Sequence, residues 1–197
     1  MKFLKVASAI AMSILLAITM IAPASAARWY NPDTNQFEDR AATAGGNRGG
    51  SPIRKQLVSY QTNYKPGTIV IETGERRLYL VLEDGKAMQY GIGVGRDGFR
   101  WAGTHRITRK AEWPGWTPPP AMRKRVPDLP AFMPGGPDNP LGARALYIGS
   151  TLYRVHGTSE PWTIGQAVSS GCIRLTNDDV IDLYERVKVG ASIVVNH

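Results

Sequence analysis

From Thr68 onward the apolar positions fall at strand spacing. TIVIET from Thr68, RLYLVLE from Arg77 and AMQYGIGV from Ala87 are rich in β-branched and aromatic residues and predict three strands. Asp84-Gly85 separates the second from the third and predicts a two-residue hairpin turn. Leu78, Leu80 and Leu82 alternate with Tyr79 and Val81, so both faces are mainly apolar, which predicts a sheet covered on two sides. ALYI and LYRV flank Gly149-Ser150, a second hairpin signal. The period changes to 3.6 only once: Val180, Leu183, Tyr184 and Val187 mark a helix. Thr176 or Asn177 caps it, Asp178 and Asp179 suit its positive first turn, and Gly190 stops it before a final strand at 191–195. Between the two groups of strands, residues 113–140 hold nine of the 14 prolines, a density that excludes regular helix or central strand and predicts a lid or binding loop. The expected domain is mainly β with one or two short helices.

The first 65 residues differ in kind. Lys2 and Lys5 precede an apolar run over 6–22, and Pro23 leads into Ala24-Ser25-Ala26, the small-x-small pattern of a cleaved signal peptide at 1–26. The competing reading is a retained anchor, since 17 residues sit at the short limit for a span. Residues 27–65 read as an extension with a flexible Gly-rich linker (AATAGGNRGG), leaving 66–197 as the folded domain. Export changes the meaning of the charge. The formal net charge is +8, and +6 without Lys2 and Lys5. A basic chain often binds nucleic acid, but outside the cytoplasm the anionic bacterial envelope is the more natural partner.

Cysteine and histidine counts limit the chemistry. A single cysteine excludes an internal disulfide framework, a multi-cysteine metal site and a lipidation site behind the signal, and three histidines leave little for a metal centre. Gly93-Val94-Gly95-Arg96-Asp97-Gly98 matches a dinucleotide-binding pattern, but Phe99-Arg100-Trp101-Ala102-Gly103 lacks the helical period that motif requires. No cofactor is expected. The informative stretch is YRVHGTSEPWTIGQAVSSGCIRL from Tyr153. A thiol attacks carbonyls once deprotonated, and an imidazole commonly takes the proton. Cys172 follows the small residues Ser169, Ser170 and Gly171, while His156 is followed by Gly157, so backbone at both places can approach a substrate closely. Arg174 either favours the thiolate or binds a substrate carboxylate. On residues alone, a buried small Cys172 remains the alternative.

HGT at 156–158 followed by SSGCIRL at 169–175 resembles the signature of the L,D-transpeptidase (YkuD, or ErfK/YbiS/YcfS/YnhG) family, and the likeness extends over about residues 67–197. It implies a β-sandwich catalytic domain under a Pro-rich capping loop that rebuilds peptidoglycan cross-links. Cys172 is then the nucleophile, His156 the proton carrier, the Gly157 carbonyl its orienter, and the amides near Gly171 an oxyanion hole. Arg174, Ser169, Ser170, Trp113 and Trp116 are the expected substrate-binding set. Many relatives have Ser-His-Gly-Cys where this chain has Ser169-Ser170-Gly171-Cys172, so His156 carries the base chemistry alone, with His105 as the other internal histidine. The resemblance implies stem peptides as partner, with a second stem, a lipoprotein lysine or water as acceptor. Papain-like peptidases place Cys before His, and sortases separate the pair by far more than 16 residues. L,D-carboxypeptidase action and a non-catalytic wall-binding module are the alternatives.

Overall fold

The computed structural model describes residues 28–31, 36–39 and 51–197; the expected signal peptide and the Gly-rich linker at 41–50 lie outside the described residues. Strands β1 (Arg28–Asn31) and β2 (Gln36–Asp39) pair antiparallel with each other. The remaining strands are β3 (Gln56–Ser59), β4 (Ile69–Glu72), β5 (Arg77–Val81), β6 (Lys86–Gly91), β7 (Val94–Gly95), β8 (Gly103–Glu112), β9 (Arg144–Ile148), β10 (Arg154–His156), β11 (Ala167–Ser169), β12 (Ile173–Arg174) and β13 (Ser192–Asn196). The helices are α1 (Pro120–Arg125) and α2 (Asn177–Arg186), with a short 3-10 turn at Pro161–Thr163.

Among the described residues, nine strands form one mixed sheet in the order β12-β10-β9-β8-β13-β4-β5-β6-β3, and β11 pairs with β7 beside it. The long β8 joins the two halves: residues 103–106 pair with β13 and residues 107–112 with β9. Side chains from both halves meet in one core. Ile69, Ile71, Leu78 and Tyr90 pack in the same cluster as Ile107, Leu146, Val155 and Ile173, all essentially without exposure. Helix α2 closes that core with Val180 and Leu183. The expected mainly-β class is the observed one.

Local chemistry explains most of the elements. Asp84 and Gly85 both have φ near +60°, the conformation of the tight turn that joins β5 to β6. On the second face of β5 the Tyr60 ring stacks on Tyr79 at 4.6 Å. Thr176 caps α2 by accepting a hydrogen bond from the Asp179 amide.

Four expectations need correction. The hairpin at Gly149 is wider than two residues: Ile148 bonds to Tyr153, and Thr151 folds back on the Ile148 carbonyl through both its amide and its hydroxyl. The Pro-rich segment does contain a helix, α1. Pro120 occupies its first turn, where the missing amide hydrogen has no intrahelical partner to lose. Helix α2 ends at Arg186 rather than at Gly190: Val187 turns to extended backbone, and Lys110 donates to the carbonyls of Tyr184 and Val187 at that end. Finally, the segment read as an extension supplies edge strand β3 to the sheet, and Ile53 lies so close over Gly91 that a Cβ there would sit 2.5 Å from the isoleucine.

Candidate active site

The site lies where β10 and β12 run side by side. They pair parallel, with Val155 opposite Ile173 and His156 opposite Arg174, so the residue before Ile173, Cys172, is held beside the start of β10. Sixteen residues of sequence separation vanish in the ladder.

The loop that presents Cys172 is fixed from several sides. Ser169 donates its hydroxyl to the Cys172 carbonyl at 2.6 Å and accepts from the Gly171 amide at 3.2 Å. The Trp101 indole donates to the Gly171 carbonyl at 2.7 Å, and its ring stacks face to face with Tyr153 at 4.7 Å. Gly171 has φ +101°, and a Cβ there would meet the Tyr153 ring at 2.4 Å. Only glycine fits, on both backbone and space.

His156 is buried, and its Nδ1 lies 2.5 Å from the Gly157 carbonyl oxygen. A carbonyl only accepts, so Nδ1 carries the proton and Nε2 is the basic nitrogen. Burial, helped by the nearby positive charge of Arg174, lowers the His156 pKa to about 3, against hydrogen bonding to the backbone of Gly157 and Leu141. Burial likewise raises the Cys172 thiol, opposed by the charge and hydrogen bonding of Arg154 and by the charge of Arg174. Both shifts favour the uncharged forms, imidazole and thiol.

Cys172, which is partly exposed, and His156 line one cavity of about 360 Å³ together with Ser169, Ser170, Arg154 and Arg174. Its roof comes from the Pro-rich segment: Trp116, Pro119, Ala121, Met122, Pro140 and Leu141. That segment was expected to cover the cleft, and it lines it. The two tryptophans separate, however. Trp116 is buried and faces the cavity, whereas Trp113 is 43% exposed and is not part of the lining.

Of the two parts open to Arg174, favouring the thiolate or binding a substrate carboxylate, its surroundings fit the first. It is fully buried, with its guanidinium 3.6 Å from Glu160 and 3.3 Å from the Thr163 hydroxyl, and it acts on Cys172 and His156 through its charge. The amide of Gly171, one of the expected oxyanion donors, is engaged by the Ser169 hydroxyl. His105 packs edge-on against Trp101, centroids 5.6 Å apart, outside the cavity lining. The missed residues are Arg154 and the Trp101–Tyr153 stack. Arg154 had a legible signal, because it lies two residues before His156 on a strand and so shares its face. Trp101 had none, since 70 residues separate it from Gly171.

Known proteins place this arrangement. A family model for the L,D-transpeptidase catalytic domain, YkuD, matches residues 66–195. The chain is 44% identical over 152 residues to a probable L,D-transpeptidase, ErfK/SrfK, of Escherichia coli K12, covering 73% of this chain and 47% of that one. The chain spans about half the length of the curated relatives it matches. A Brucella melitensis crystal structure described as a probable carnitine operon oxidoreductase is 47% identical, with a TM-score of 0.50, over 73% of this chain and 93% of that chain. In this chain the Gly93–Gly98 stretch leads through loop into β8, with no helix to receive a pyrophosphate. L,D-transpeptidase 3 of Mycobacterium tuberculosis, solved with a faropenem-derived adduct, shares the fold at 18% identity and a TM-score of 0.52, over 66% of this chain and 60% of that one. With a thiol and an imidazole on one cavity floor and two-thirds of its length matched by the domain, the chain belongs to the YkuD family of L,D-transpeptidase catalytic domains.

Proposed function

We propose that the chain is an exported acyltransferase that cuts and rejoins peptidoglycan stem peptides through Cys172. The observation that carries the reading is the shared cavity: the Cys172 thiol, the His156 imidazole anchored through Nδ1 on the Gly157 carbonyl, and an apolar roof over both. The Cys172 sulfur attacks the carbonyl of the third residue of a donor tetrapeptide as His156 Nε2 takes the thiol proton. The carbonyl oxygen takes up the electron pair and hydrogen-bonds to the Cys172 amide. When the tetrahedral centre collapses, the C–N bond breaks and terminal D-alanine leaves with the proton from His156. An amine on a second stem then attacks the thioester, giving up a proton through His156, and the thiol is restored. The product is a 3→3 cross-link.

Two features support an envelope setting: the leader-like residues 1–26 and the net positive charge toward an anionic wall. Incubation with purified tetrapeptide muropeptides, followed by mass spectrometry, tests the reading. Tetra–tri 3→3 dimers are expected. Tripeptides without dimers identify water as acceptor and carboxypeptidase action, whereas a product that appears only with a lysine-ended lipoprotein peptide identifies that acceptor. No covalent change in any donor leaves the wall-binding module.

A further inference from the structure

We infer that Arg154 is the receptor for the carboxylate that ends the donor peptide, so that the cleft selects chains stopping one residue beyond the bond that Cys172 attacks. The inference rests on the acyl-transfer reading and deepens it.

Arg154 opens β10 and lies on the face of that strand that His156 shares, two residues on. The parallel register with β12 puts it beside Cys172, and it lines the same cavity. Several arginines here meet carboxylates, among them Arg174 with Glu160, Arg144 with Glu112 and Arg186 with Asp182. Among the described residues no carboxylate pairs with Arg154, and its Nε is buried without a hydrogen-bond partner. The guanidinium instead rests 5.4 Å from the centre of the Tyr147 ring, a contact that holds the cation in place without neutralising it. In the same cavity lining the Ser170 hydroxyl is buried without a partner. A half-buried cation that touches the thiol but meets no carboxylate, and a buried hydroxyl in the same reactive cleft, call for an anion with two acceptor oxygens.

The proposed substrate has such an anion at the required place. Consecutive residues are about 3.8 Å apart, so a carboxylate one residue past the scissile carbonyl lies next to whatever flanks the sulfur. A peptide that continues by one more residue presents a neutral amide there and leaves the guanidinium unpaired. A site built to pair a polar group rejects the analogue that lacks it far more strongly than an apolar pocket rejects an extra methyl. The same cation also eases ionisation of the thiol, so the two roles must be separated by experiment.

The test measures single-turnover acylation of the full chain by a free-acid tetrapeptide stem, by the same peptide as its C-terminal carboxamide, and by iodoacetamide, which reports thiol reactivity alone. The wild type is expected to prefer the free acid about 10- to 100-fold. Arg154→Gln is expected to bring that ratio close to one, through loss on the free acid, with alkylation by iodoacetamide changed only about threefold. Arg154→Lys keeps the charge without the planar fork, and an intermediate ratio is expected. If the Gln variant fails to fold by circular dichroism, the Lys variant decides alone. An unchanged ratio in the variants, or a wild type without preference, overturns the inference and leaves the acyl-transfer reading standing. Equal losses for both peptides and iodoacetamide overturn it in favour of a thiolate-only role. A wild type that iodoacetamide alkylates but neither peptide acylates removes the acyl-transfer reading and this inference together.

Discussion

The floor and the roof of the cleft are built on different physics. The floor hangs from the sheet, where Ile69, Ile71, Leu78, Leu146 and Ile193 are fully buried and strands on both sides hold each backbone. The roof, residues 113–142, has no place in that ladder. Its order comes from a small separate cluster of Trp116, Met122, Leu129 and Leu141, from mutual backbone bonds between Trp116 and Met133, and from Asn139, whose side chain bonds to Met133, Pro134 and Leu141. Proline lowers the entropy such a segment loses on ordering, so few contacts suffice. The difference teaches that the thiol and imidazole sit on the half built into the sheet, while the roof over them rests on a small core of its own.

The sharpest way to separate the halves is at the floor. Cys172→Ser is expected to reduce turnover below detection while the unfolding midpoint stays near the wild-type value, since an alcohol resists deprotonation far more than a thiol. A marked loss of stability with residual turnover would put Cys172 among the packing residues instead. Leu146→Ala, in the shared core, is expected to cost about 2–5 kcal/mol in denaturant unfolding, with activity per folded molecule unchanged.

Acid probes the same half. The folded state holds His156 at about 3, below its ordinary 6.5, so the unfolded chain binds this proton first. Above pH 6.5 both states are neutral and the group contributes nothing to the pH dependence. Stability is lost as pH falls from 6.5 toward 3, and at pH 5 the loss is about 2 kcal/mol. Urea titrations at pH 7 and pH 5 measure it, and His156→Gln is expected to flatten the difference.

The roof should respond in the opposite manner. Trp116→Ala removes a buried cavity-facing ring from the small cluster, and an about tenfold drop in turnover is expected with only about 1 kcal/mol of global stability. If stability falls as far as in Leu146→Ala, the roof is not a separate unit. Trp113→Ala, at an exposed position outside the lining, is expected to change stability by less than about 0.5 kcal/mol and turnover little. A large effect there would show that the roof closes further over bound peptide.

Much of this was written locally in the chain. Alternating apolar runs foretold β4, β5 and β6, Asp84-Gly85 foretold their turn, and Thr176 with the 3.6-residue period foretold α2, because each depends on neighbours within a few residues. The pair His156 and Cys172 was legible as well, carried by short motifs. The helix in the roof is hidden by proline density, because Pro120 occupies a first turn, where proline is tolerated.

Tertiary structure decided what distant residues do to one another. Whether Arg174 faces substrate or an internal carboxylate depends on Glu160, and the structure buries the two together. Which tryptophan reaches the cleft depends on how the roof folds, and Trp116 does while Trp113 does not. That Arg154 stands beside the sulfur follows from the register of β10 on β12, and that Gly171 is held by Trp101 follows from a contact across 70 residues. The sequence determined by itself which chemistry the chain carries, because the reactive groups are side chains. The fold alone determined their charge states and partners, because burial and pairing are properties of the space around a residue and not of its place in the chain.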